Sequence, residues 1–140
     1  RLTRYSPNRV ASVDWVSGAC ILAPKQTFED VGLFDEGIFL YMEEIDLFYR
    51  AKQKGYEVFF CPEARFIHTG AASSGSRKTP VINIYRGLLY FYRKHRSIME
   101  QRILLGMLAT KARIAIILGK LLDRRDLTET YEQGLSVISR

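Results

Sequence analysis

The sequence predicts an α/β chain that becomes wholly helical in its later part, and three observations carry that expectation. Apolar, β-rich runs stand at 13–23, 56–61 and 64–68, each bounded by Pro, Gly or small polar residues. Between the first two, Ile45, Leu47, Phe48, Tyr49 and Ala51 follow a helical spacing that stops at Gly55. From Pro80 onward the apolar residues fall at steps of three and four. The chain divides accordingly into residues 1–79 and a basic, mainly helical region, 80–140.

Composition bounds the rest. The 140 residues are 47% hydrophobic and 26% charged, enough apolar surface for a real core and against wholesale disorder. The net charge of +6 is uneven: residues 1–76 carry 8 basic and 10 acidic side chains, residues 77–125 carry 12 and 2. That asymmetry points the later segment toward an anionic partner: a membrane surface, a phosphate-bearing substrate or nucleic acid. Cys20 and Cys61 match no zinc or CxxC spacing, and each sits in an apolar run, so a buried pair of free thiols is expected.

Taken in order, residues 1–12 read as an irregular lead-in. Val13–Ala23 reads as a buried strand stopped by Pro24. Gly18 interrupts it, as a bulge, a close approach by a ligand or another backbone, or a packing glycine. Residues 24–32 have Pro at the start and Gly at the end, which reads as a short helix. Residues 33–37 form a turn, and 43–54 a helix with Glu43 and Glu44 in its first turn. There the helix dipole favours the ionised carboxylate. Asp46 and Arg50 read as an i,i+4 surface pair. Strands follow at 56–61 and 64–68, then a small, polar loop at 69–76. Ile82, Tyr85, Leu89 and Tyr92 make one helical stripe, and 98–122 is the most apolar stretch. It is too often interrupted by charge to span a bilayer. Arg102, Arg113, Lys120 and Arg124 fall on nearly one face of it, either as an interfacial helix on anionic lipid or as the solvated side of a core helix. Residues 127–138 add a last short helix.

The order of these pieces is more telling than any one of them. Val13-Asp-Trp15-Val-Ser-Gly18-Ala19 is followed by Phe28-x-x-Val-Gly-Leu-Phe-Asp-Glu36. Then come Phe39-x-Tyr41-x-Glu43-Glu44-x-Asp46-Leu-x-x-Arg50, Gly55, Pro62 and His68-x-Gly70. This run, over roughly residues 1–96, resembles the acceptor-side half of the GT-A fold, family 2 glycosyltransferases. The nearest likeness is to the bacterial rhamnosyltransferases of O-antigen and cell-surface polysaccharide synthesis.

The resemblance implies a C-terminal half of a GT-A fold with a short mixed sheet in 1–79, and a helical extension after it. It implies inverting transfer of a sugar from a nucleotide-diphosphate donor to a glycan or glycolipid acceptor. Glu44 falls at the general-base position, where the family's usual pair is Glu-Asp and this chain has Glu-Glu, while Asp46 and Arg50 match the rest of the pattern as structural residues. Trp15, Gly18, Ala19 and Glu43 match the place where the sugars lie, and an indole face packs well on a sugar ring. His68 matches a histidine that in some members helps bind a divalent metal, magnesium or manganese; the plain alternative is a structural histidine. The chain has no Asp-x-Asp and no Gly-rich phosphate loop. It is therefore expected to be part of a longer cytoplasmic enzyme, peripheral on the inner membrane face. Alone it is expected to be inactive, to bind neither metal nor sugar nucleotide tightly, and to self-associate. The alternative is a non-catalytic module that docks a membrane or partner through its basic helices. Nucleic acid is excluded as partner, since no motif of its usual readers is present.

Overall fold

The structure, a computed structural model, describes residues 8–68 and 78–139, and these are mixed α/β. In chain order they form β1 (Ala11–Val13), α1 (Lys25–Val31), α2 (Glu43–Gln53), β2 (Val58–Phe60), α3 (Lys78–His95), α4 (Ile98–Leu121) and α5 (Arg125–Ile138). Two units group them: β1, α1, α2 and β2 form the first, and residues Glu36–Met42 join α3, α4 and α5 in the second. The expected loop at 69–76 lies outside the described residues.

In the first unit, β1 and β2 pair antiparallel, with Ala11 opposite Phe60 and Val13 opposite Val58. The structure departs from the expected strands. Residues 14–23 are not a buried strand: Ser17–Cys20 is a turn, and Leu22 is 97% exposed. Residues 64–68 form no strand either and are exposed. The sheet is antiparallel among the described residues, not mixed. A β-rich run becomes a strand only where another strand meets its backbone groups, and β2 offers a partner just three residues long. Loss of the long strand also leaves Cys20 and Cys61 exposed, as free thiols but not buried ones.

α1 begins after Pro24 and ends at Gly32, whose φ of 85° suits glycine. Val31, Leu47 and Ala51 bury its contact with α2, and Ile21, Phe28 and Tyr56 pack around them. Asp46 and Arg50 are structural, as the motif resemblance implies, and not the surface pair that spacing alone suggests. Asp46 is 0% exposed, and Arg50 Nε donates to its Oδ2 at 2.7 Å. The other guanidinium nitrogens donate to the carbonyls of Val31 (2.7 Å), Gly32 (3.1 Å) and Leu33 (2.7 Å). One side chain of α2 thus satisfies carbonyls that the end of α1 leaves without intrahelical partners. Lys54, on Asp30, and Tyr56 Oη, donating to Asp30 Oδ2 at 3.0 Å, tie the same end from the far side.

In the second unit Tyr85, Leu89, Leu104 and Leu108 form the buried centre, with Tyr92, Leu105 and Tyr131 packed on it. Tyr85 meets Tyr131 edge-on at 6.5 Å. The stripe expected on the first long helix is therefore a packed face. Ser97 and Glu100 form a capping box at the start of α4. Gly119 lets α5 approach closely: a Cβ there would stand 2.5 Å from Thr128 Oγ1.

Removing one partner of a buried, hydrogen-bonded ion pair costs about 3–5 kcal/mol. Asp46→Ala should lower the stability of the first unit by about that much in urea unfolding. Arg50→Lys should also be clearly destabilising, because an ammonium cannot reach the carboxylate and three carbonyls together. A lysine variant with the wild-type urea midpoint would show that the clamp does not hold α1.

Candidate active site

The start of α2 is where the chemistry-bearing residues gather. Glu43, Glu44 and Asp46 all stand in its first turn. Asp46 is committed to Arg50 and to the fold, which leaves the two glutamates. They lie against the turn at Gly18. A Cβ built on Gly18 would meet Glu44 Cβ at 3.6 Å, Glu44 Cδ at 3.9 Å and Glu43 Oε1 at 3.9 Å. These are ordinary van der Waals distances, so Gly18 stands beside two carboxyl groups without being needed for a close approach. Ala19 sits in the same exposed turn, its N–H donating to Ser17 Oγ at 3.3 Å.

The two carboxyls differ in their surroundings. Glu43 Oε2 is buried without a hydrogen-bond partner among the described residues. Glu44 is half-buried, and withdrawal from water pushes its pKa above the ordinary glutamate range. A hydrogen bond with its own backbone pulls the other way, and the charge of Glu43 adds to the rise. The helix terminus therefore does not dominate Glu44 as the dipole alone predicts. Burial outweighs it, because desolvation penalises the charged form directly.

Trp15 is 50% exposed, three residues before Gly18. His68 is exposed at the edge of the described residues. No hydrogen bond among the described residues ties either one to Glu43 or Glu44. Nor do any three His, Cys, Asp or Glu side chains among the described residues group as a metal ion would need. The described residues do not by themselves fit a divalent cation.

Two features were missed from sequence. Tyr41 and Met42, directly ahead of Glu43, have φ of 67° and 77°, a left-handed conformation that costs non-glycine residues about 1–3 kcal/mol each. Gly87 of α3 makes room for this elbow. A Cβ there would stand 2.8 Å from Met42 Cγ and 2.9 Å from the Tyr41 carbonyl oxygen. The single legible signal was a glycine inside a helical pattern.

Over stretches of 56 to 75 residues the chain is similar to sugar transferases, specifically rhamnosyl- and hexosyltransferases, at 34–41% identity. One is the N-acetylglucosaminyl-diphospho-decaprenol L-rhamnosyltransferase of Mycobacterium tuberculosis, 41% identical over 75 residues, 54% of this chain and 24% of the relative. A rhamnosyltransferase of Escherichia coli is 38% identical over 56 residues, 40% of this chain and 21% of the relative. A low-salt glycan biosynthesis hexosyltransferase of Haloferax volcanii is 34% identical over 56 residues, 40% of this chain and 18% of the relative. The matches thus span a quarter or less of each relative's length. No family model matches the chain, and no solved structure does. The rhamnosyltransferase likeness carried by the ordered motif run is borne out.

A carboxyl whose folded pKa is raised stabilises the fold most when protonated, and that contribution is lost as pH rises through the folded value. Glu44→Gln should therefore raise the melting temperature of this chain at neutral pH. The gain should vanish below about pH 4, where the wild-type carboxyl is itself protonated. A variant less stable than wild type at neutral pH would contradict the burial assigned to Glu44.

Proposed function

We propose that this chain is the acceptor side of an inverting, family 2 glycosyltransferase of GT-A fold, with Glu44 as the general base. The observation that supports it is the Glu44 carboxyl, partly withdrawn from water and poised against the open backbone of Gly18. In this reading Glu44 takes the proton of an acceptor hydroxyl as that oxygen bonds the anomeric carbon. The bond from that carbon to the nucleotide diphosphate breaks on the opposite side, which inverts the centre. A base with a raised pKa suits the task, since proton transfer is most effective when its pKa lies near the working pH.

The remaining residues take supporting parts. Trp15 offers its indole to the face of a sugar ring. Gly18 and Ala19 leave the backbone free for close approach, and Glu43 accepts from a sugar hydroxyl while raising the pKa of its neighbour. The donor is a nucleotide-diphosphate sugar, rhamnose by the names of two relatives. The acceptor is a glycan or glycolipid; the mycobacterial relative's name specifies a sugar on diphospho-decaprenol, which favours a lipid-borne one. A divalent cation, magnesium or manganese, belongs in this reading to a longer enzyme, as does most of the nucleotide site, which makes this chain inactive alone.

In the longer enzyme Glu44→Gln should lower kcat/KM by about 10²–10⁴-fold, the usual worth of a positioned base, with Glu43→Gln costing less. Turnover by Glu44→Gln near the wild-type rate would remove the base assignment. Gly18→Ala should be tolerated, since its Cβ meets only ordinary contacts. Gly18→Val should raise KM, because its methyl groups enter the space in front of Glu44.

A further inference from the structure

We propose that α4 lies on an anionic phospholipid surface, through a face distinct from the one that packs in the second unit. This rests on the helix surface alone, not on the role given to Glu44. α4 is apolar on two opposite sides. Leu104, Leu108 and Ala112 are buried. At 100° per residue the opposite side carries Met99, Ile103, Met107, Ile114, Ile117 and Leu121, which are 53–76% exposed. From Met99 to Leu121 this stripe runs about 33 Å at 1.5 Å per residue. An exposed apolar surface of that length marks an interaction site.

Charge selects the occupant. Arg102, Arg113 and Lys120 border the stripe on one side and Lys111 on the other, all exposed. The single acidic residue of α4, Glu100, is held at the helix start by Ser97. Cationic borders beside an apolar centre suit a helix lying in the headgroup region, with acyl chains under the stripe and phosphates beside the long basic side chains. A second copy of the chain would instead bring these cations against one another around the apolar contact, although Lys120 already has the Glu132 carboxylate at 3.9 Å. No helix among the described residues is long and apolar enough to cross a membrane, so α4 is placed along the surface, not through it.

Co-sedimentation of the chain with phosphatidylcholine vesicles, with and without phosphatidylglycerol, tests this. Binding should be at least about tenfold tighter on the anionic vesicles and weaken with salt. Arg113→Glu with Lys120→Glu should cost about fivefold per cation removed on those vesicles. Met107→Glu with Ile117→Glu should abolish binding while the helical circular dichroism stays unchanged. Equal binding to both vesicle types, or none, would overturn the proposal. So would a salt-resistant dimer in light scattering that the Met107 and Ile117 changes dissolve, since the stripe would then be covered by a second copy. Loss of anionic binding in the longer enzyme would overturn it too, by showing the stripe covered within the protein.

Discussion

The first unit depends on the grip of Arg50. A small pair of strands and a seven-residue helix bury little, and α1 ends at a glycine that offers its carbonyls no continuing turn. One guanidinium answers three of those carbonyls and a fully buried carboxylate at once. Its planar fork of donors makes that possible, and no other side chain has one. A buried ion pair adds little net stability against a well-packed apolar alternative, because desolvation consumes most of the attraction. What this pair adds is definition. It fixes how far along α1 the second helix sits, and hence where α2 starts relative to the turn at Gly18.

That definition matters because the next constraint is unfavourable. Two consecutive residues ahead of α2 hold left-handed backbone without being glycine. Glu43 then buries an oxygen with no hydrogen-bond partner among the described residues, and Glu44 carries a carboxyl partly removed from water beside another acid. Each of these works against folding. They sit together at one helix terminus, where the backbone N–H groups partly offset the negative charge. Stability has been given up locally where two carboxyls are held close to open backbone.

The helices were legible from sequence, for reasons local to each. Pro24 and Gly32 bracket α1, Gly55 follows α2, and the Ile82-Tyr85-Leu89-Tyr92 spacing gives the packed side of α3. Glu43 and Glu44 were legible as a pair, and a shared site with Gly18 was implied only by the family resemblance. What was not legible depends on partners distant in sequence. Val13–Ala23 has a strand's composition, but pairing is decided by the strand beside it. The i,i+4 spacing of Asp46 and Arg50 is the same on a surface as in a core, and only the carbonyls nineteen to seventeen residues earlier tell them apart. Left-handed backbone at Tyr41 and Met42 has no signature in residues that ordinarily avoid it.

α4 shows the same limit in another form. Periodicity locates a face; it cannot say whether anything covers it. Spacing alone drew attention to the basic row and left it equally a solvated edge of a core helix. With α3 and α5 in place, one apolar side is accounted for and a second remains. The basic row then reads as a border of that second side, not as the face itself. A core helix needs one apolar stripe and repays polarity on the other. The packing of the described residues gives no reason to keep Met107, Ile114 and Ile117 facing outward between cations. That excess of apolar surface over what the fold uses is the strongest physical sign that α4 has a second environment besides water.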